Sequence, residues 1–284
     1  RAGLVLDAFR LVRLLVAAAD VRGFDQRYTR GGEQLRVLKR FPPSLISMLV
    51  LLLIWQWASR LDSMSGTLPS ATTTISTLWD SLHEGATWVS IGITLWQAAV
   101  GLVIGLALAI PTGILLGLSK FGYLSSQFTL NFLRVIPPIV IIPILLLVLG
   151  PTMQMAYFIV AWPIFFIMTL QTSYGVRDAD PVLLETMKCY RQGLWRQIRY
   201  ARIPSAATYI SLGLRICIVV AVLGATVAGL IGGAPGLGQD LFYAESYGET
   251  AEAFALVLLL GIIGMITSKA VEWLQPKIVF WSPS

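Results

Sequence analysis

Arg134 and Arg215 interrupt apolar sequence, each about eight residues in from the nearer end of an expected helix, or roughly 12 Å at helical rise. An ionisable group so placed is costly, and a pair of arginines along one path favours an anionic ligand; snorkelling to nearby headgroups is the competing reading. Other chemistries lack their parts. No GxxxxGK[ST] phosphate loop occurs, His83 is the single histidine, and Cys189 and Cys217 fall on a loop and inside an apolar helix, so neither a nucleotide cradle, a metal cluster nor a structural disulfide is expected. No expected span carries Asp or Glu near its centre, which argues against a proton relay.

The elements that must position these residues follow from composition. Of 284 residues, 56% are hydrophobic and 13% charged, against about 25% charged in soluble domains. The mean hydropathy is +0.75, which excludes a soluble enzyme, a disordered chain and a nucleic-acid module. A membrane span needs about 20 apolar residues. Charge-free stretches run over residues 41–59, 85–119, 135–176, 216–239 and 253–268. The third is about twice the required length, and Gly150-Pro151 near its middle is a helix stop followed by a helix start. Six spans are therefore expected, over residues 43–59, 89–118, 126–149, 151–175, 206–230 and 252–274, in an all-α membrane protein.

Basic residues orient these spans. Nine of the 21 Lys and Arg precede the first, and Arg177, Lys188, Arg191, Arg196, Arg199 and Arg202 crowd the loop after the fourth. The loops over 61–86 and 232–250 hold acidic residues, His83 and no basic residue after Arg60. The positive-inside rule then puts both termini and the 177–205 loop in the cytoplasm, with Lys120 and Lys277 on the same side. Residues 1–40 form a separate cytoplasmic amphipathic segment, in which Leu4, Val5, Phe9, Val12 and Leu15 recur at helical spacing. It either lies along the membrane surface or is a partly ordered tail; residues 41–284 make the span domain.

The loop over 177–205 is unusual. Asp180-Pro181 is a helix start, with a capping carboxylate before a first-turn proline. Leu183, Leu184, Met187 and Tyr190 then form one apolar stripe until Gly193 breaks it. Leu194, Trp195 and Ile198 face one way, Arg196, Arg199 and Arg202 recur every three residues, and Ile203-Pro204 is expected to stop the second helix. A helix too short to span must lay its apolar face on lipid, its own bundle or another protein.

Glu185-Thr186-Met187, Trp195 and Ile203-Pro204-Ser205-Ala206 resemble the EAA loop of ATP-binding-cassette importer permeases. Leu133 to Pro138 with Ile142-Pro143, Gly213-Leu214-Arg215 and Gly236-Leu237-Gly238 are similar to the nitrate, sulfonate, taurine and bicarbonate branch, covering roughly residues 88–275. The resemblance implies a type I importer permease fold. It implies a second permease subunit, two cytoplasmic ATPases that carry ATP and Mg, an extracytoplasmic solute-binding protein delivering to the Gly236-Leu237-Gly238 loop, and no cofactor or catalytic site in this chain. Leu184, Glu185, Met187, Tyr190, Arg191, Gly193 and Pro204 would then belong to the ATPase-coupling element, and Arg134, Pro137, Pro138 and Arg215 to the substrate pathway. One departure stands out: the family's glycine six residues after the glutamate is Arg191 here, with Gly193 two positions later.

Pro137, Pro138, Pro143 and Pro163 free carbonyls in spans three and four, where they either serve a cavity or shape packing. Gly101, Gly105, Gly113 and Gly117 make small-xxx-small pairs that close helix approach explains. Trp55, Trp57, Trp88 and Trp96 read as interface anchors. The sequence thus points to an importer permease subunit of the bacterial cytoplasmic membrane for a small anion such as a sulfonate or nitrate-like compound, working by alternating access. An autonomous secondary transporter or channel is the alternative.

Overall fold

The computed structural model describes the backbone of residues 43–61 and 67–278, and side chains over 47–61 and 67–273. The expected surface segment over residues 1–40 lies outside the described residues. The chain divides into two units, the first ending at Trp57. Its described part is α1 (Pro43–Ala58), an apolar helix of 16 residues, about 24 Å long and so shorter than a hydrocarbon core of about 30 Å.

The second unit opens with α2 (Ala71–Ser81), a helix within a segment the charge pattern leaves as loop. Ser70 caps it by accepting from the Thr73 amide at 3.1 Å, and Ala71 and Thr74 are buried. Ala71, Thr74, Leu78 and Leu82 recur at helical spacing, and Leu78 and Leu82 pack against the main core, so the cap and a short amphipathic stripe together encode it. There follow α3 (Gly85–Leu118), α4 (Lys120–Val135), α5 (Pro138–Leu149), α6 (Met153–Arg177), α7 (Pro181–Cys189), α8 (Leu194–Gln197), a π turn over Ile198–Arg202, α9 (Ile203–Gly232), α10 (Leu237–Ser246) and α11 (Thr250–Ile278). No strand occurs among the described residues.

Among the described residues four helices are long and apolar enough to cross a membrane, and a fifth crossing arises if the bent pair α4 and α5 is one span. The packing of α3 on α6 settles that question. A Cβ on Gly101 would lie 2.5 Å from Val160, on Gly105 2.7 Å from Ile164, on Gly113 2.6 Å from Thr172 and on Gly117 2.7 Å from Val176. The offset of 59 is constant, so the two helices run parallel with their backbones in near contact over residues 101–117 of α3 and 160–176 of α6. The chain between them must return to its starting end, and α4 with α5 does so. Span three is therefore one crossing, bent by 81° rather than the straight helix expected over 126–149. Both Ile136 and Pro137 precede a proline and are driven out of the helical region, to ψ 113 and 134, so the helix breaks at two consecutive residues.

Helix α9 runs antiparallel to α6: Gly175 approaches Ala206, Gly213 approaches Gln171 and Met168, and Gly224 approaches Val160. This fixes two ends of the bundle. At one end lie α7, whose surface is largely exposed, and the π turn, whose Ile198 and Ala201 are buried. At the other, the 234–237 turn is buried against α3: Leu237 N donates to Thr94 Oγ1 at 3.0 Å and Gln97 Nε2 to the Pro235 carbonyl at 2.8 Å. Gly236 sits at φ 122, and a Cβ there would meet Thr94 Oγ1 at 2.6 Å, so backbone conformation and space both require glycine. The main core lies where α3, α6, α9 and α11 meet, around Ala109, Ile164, Met168, Cys217 and Ala221.

Candidate functional site: the elbow between α6 and α9

Helix α7 starts as its sequence dictates. Asp180 Oδ1 accepts from the Val182 amide at 2.8 Å and Pro181 occupies the first turn. It ends less predictably. Gln192 N donates to the Met187 carbonyl at 2.9 Å and Arg191 N to the Lys188 carbonyl at 2.8 Å, the paired bonds of a Schellman motif. That motif needs a left-handed residue, and Arg191 supplies it at φ 53, the single non-glycine with positive φ among the described residues. The turn where the family's glycine is missing is thus built by an arginine in a glycine's conformation. Gly193 has an ordinary φ of −64 and stands at the N-cap of α8.

The second half departs from expectation. Ile203-Pro204 does not stop a helix: α8, the π turn and α9 are continuous from Leu194 to Gly232. A proline ring clashes with the carbonyl four residues back and lacks the N–H that would bond it. The widened turn over Ile198–Arg202, where Ile203 N donates to the Ile198 carbonyl, makes room for that ring, and Pro204 falls in the first turn of α9. The loop therefore contains one short free helix and an extension of the fifth span.

The elbow's base is fastened to the bundle. Arg202 Nη1 donates to the Val176 carbonyl at 3.3 Å, Tyr209 Oη to Asp178 Oδ2 at 2.9 Å, and Arg177 lies 4.2 Å over the Tyr123 ring. Within it, Gln197 Nε2 donates to the Gln192 carbonyl at 3.0 Å and Arg196 Nη1 to Gln192 Oε1 at 2.6 Å, tying α8 to the end of α7. The arginine stripe is thus divided: Arg202 braces the base, Arg196 braces the turn, and Arg199 is exposed beside Tyr200.

The apolar stripe is divided as well. Leu184 and Met187 are half-buried, whereas Tyr190 is 75% exposed and Glu185, Arg191, Gly193 and Pro204 are exposed. Val182, Leu183 and Leu194 are exposed too, and Trp195 is 75% exposed. The open apolar face is made by both halves of the elbow.

The candidate pathway residues are dispersed. Arg134 is exposed in the last turn of α4, where a cation complements the helix C-terminus, and Pro137 and Pro138 form the 81° bend immediately after it. Arg215 Nη2 instead donates to Glu272 Oε1 on α11, in the single ion pair among the described residues. No described contact joins Arg134 to Arg215. Glu272 was invisible to sequence reasoning because nothing local says that α9 and α11 pair. Trp96 and Trp88 also have defined partners, the Tyr157 hydroxyl at 3.2 Å and the Leu82 carbonyl at 2.9 Å.

A parallel helix pair at the centre, a kinked crossing beside it and a braced amphipathic elbow at one end define a multi-pass transport permease. The chain belongs to the family described as binding-protein-dependent transport system inner membrane component, which matches residues 101–279. It is a permease subunit of an ATP-binding-cassette importer, a family whose permease subunits are non-catalytic. Among its relatives, a Bacillus subtilis protein named as an aliphatic sulfonates transport permease, SsuC, is 29% identical over 236 residues, 83% of this chain and 86% of its own. The nitrate import permease NrtB of Synechococcus elongatus is 25% identical, covering 83% of this chain and 89% of its own. An inward-facing structure of the MetNI methionine ABC transporter matches the fold with a TM-score of 0.55 at 20% identity, over 68% of this chain and 94% of that one.

Proposed function

We propose that this permease moves a small anion, of the sulfonate or nitrate class, into a bacterial cell across the cytoplasmic membrane, as one of two permease subunits working with two ATPases and an external solute-binding protein. ATP and Mg are bound by the ATPases. The elbow end, with its basic residues, faces the cytoplasm. The names of the sulfonate and nitrate relatives support the anion class, and Arg134 and Arg215, cations set within apolar sequence, are consistent with it.

The observation that carries the reading is the elbow's construction. Its base is held to α6 and α9 by Arg202, Asp178 and Tyr209, while Val182, Leu183, Tyr190, Leu194 and Trp195 are left on the open surface. A stiff element with an unpartnered apolar face transmits movement when that face is seated in a partner, and buried aromatics dominate such contacts. Binding of ATP closes the two ATPases, the elbows follow, and the population shifts from inward-facing to outward-facing; hydrolysis returns it. Glu185 supplies a polar contact that orients α7 in the groove.

The test is co-purification with the ATPase and ATP-dependent uptake of methanesulfonate and nitrate in proteoliposomes. Trp195→Ala and Tyr190→Ala are expected to lower ATPase association at least tenfold while leaving the membrane-embedded fold intact. Uptake by the chain alone, driven only by an ion gradient, would favour the autonomous transporter and refute the proposal.

A further inference from the structure

The ion pair between Arg215 and Glu272 sits where a lipid-facing pair does not belong. Gly175 near the end of α6 packs on Ala206, and Arg215 lies nine residues further along α9, about 13 Å into the bundle from that level. Yet the side chains are 48% and 46% exposed. They emerge among exposed apolar neighbours, Leu212, Ile216 and Val219 on α9 and Met265 on α11. Two half-exposed charges at that depth are costly against hydrocarbon and are tolerated where the face meets a water-filled cavity.

The pair also leaves charge in excess. Glu272 takes one guanidinium nitrogen, Nη2, and Nη1 and Nε of Arg215 have no protein partner among the described residues. Lys269, one turn away on the same side of α11, is exposed and forms no described ion pair. The cluster of Arg215, Lys269 and Glu272 is thus net positive by one charge, with an uncommitted guanidinium edge that matches the oxygens of an oxyanion.

We propose that Arg215, Lys269 and Glu272 form a transfer site for the oxyanion on the translocation face: Arg215 and Lys269 receive it, and Glu272 weakens their hold so that it leaves. The proposal rests on the permease reading and extends it with Glu272 and Lys269. A carboxylate fixed beside the cation competes with the cargo for the same donors. It keeps the site from becoming a trap, since conduction requires binding weak enough to release.

The assembled transporter, with its ATPases, is reconstituted in nanodiscs and titrated with methanesulfonate and with nitrate. Glu272→Gln is expected to lower the half-saturating concentration of the bound anion at least tenfold and to slow ATP-driven turnover. Glu272→Asp, which keeps the charge, stays near the native value. Arg215→Gln abolishes saturable binding, and the double variant Arg215→Gln/Glu272→Gln, which substitutes a neutral hydrogen-bonding pair, stays folded by thermal melting and does not bind. A purely structural role for Glu272 makes the Gln variant bind more weakly or equally well, and either result overturns the inference. So does absence of saturable binding of both anions to Glu272→Gln. If the permease reading itself fails, native assemblies show no ATP-driven uptake; if only this inference fails, that uptake persists and the variants leave affinity unchanged.

Discussion

Replacing Arg191 by glycine is expected to tighten the elbow. At φ 53 the arginine Cβ crowds the following carbonyl, a cost of about 1–2 kcal/mol for a residue with a side chain. Glycine avoids the clash but loses about 0.5–1 kcal/mol more conformational entropy on ordering. The net gain is about 0.5–1 kcal/mol, a two- to fivefold change in the opening equilibrium of the turn at 25 °C, given the same figures. The reporters are built in, because the Gln192 and Arg191 amides donate to the Met187 and Lys188 carbonyls and exchange with solvent only when the motif opens. Hydrogen exchange in nanodiscs, corrected for intrinsic rates, should show Gln192 protection rising two- to fivefold in Arg191→Gly and rising less in Arg191→Asn. It should fall by a similar or larger factor in Arg191→Val, whose branched Cβ tolerates positive φ worst. Protection in Arg191→Val equal to the native chain, or weaker protection in Arg191→Gly, would refute the strain argument.

The α3–α6 contact makes a sharper contrast. Gly101→Ala places a methyl 2.5 Å from Val160 and should destabilise the bundle by about 1–3 kcal/mol in detergent unfolding, whereas Gly92→Ala, with nothing within 4 Å, should be neutral or slightly stabilising. Asp180→Ala removes the side-chain acceptor for the Val182 amide and should cost α7 about 1 kcal/mol, read as faster exchange at Val182 with no change at the α6 core. Gln97→Leu removes a fully buried amide and leaves the half-buried Pro235 carbonyl without its donor, and should cost about 1–3 kcal/mol. Its signature is easier proteolytic or cross-linking access to the 234–237 turn, and unchanged access would place that turn's anchoring elsewhere.

Much was legible because it depends on local chain physics. Charge-free runs mark the apolar helices, since a charge in hydrocarbon is costly whatever its neighbours. The Gly150-Pro151 break appears as Gly150 at φ 68, with α6 starting from Thr152 as its cap, and Asp180-Pro181 starts α7 by the same capping chemistry. The spacing of Gly101, Gly105, Gly113 and Gly117 announced a close approach, and the EAA-like residues announced an elbow.

Other features depend on which helices meet, and no local pattern encodes that. Parallel packing of α3 on α6 turned the broken α4–α5 segment into a crossing, and the pairing of α9 with α11 gave Arg215 its carboxylate. Pro204, read as a stop, is passed by a π turn, because α9 packs along α6 and a wider turn frees room for the ring. Arg191 is the clearest case. Its sequence position reported only that a glycine was absent; the hydrogen bonds closing the turn over-determine the backbone there, and so hold an arginine where its own preference would not.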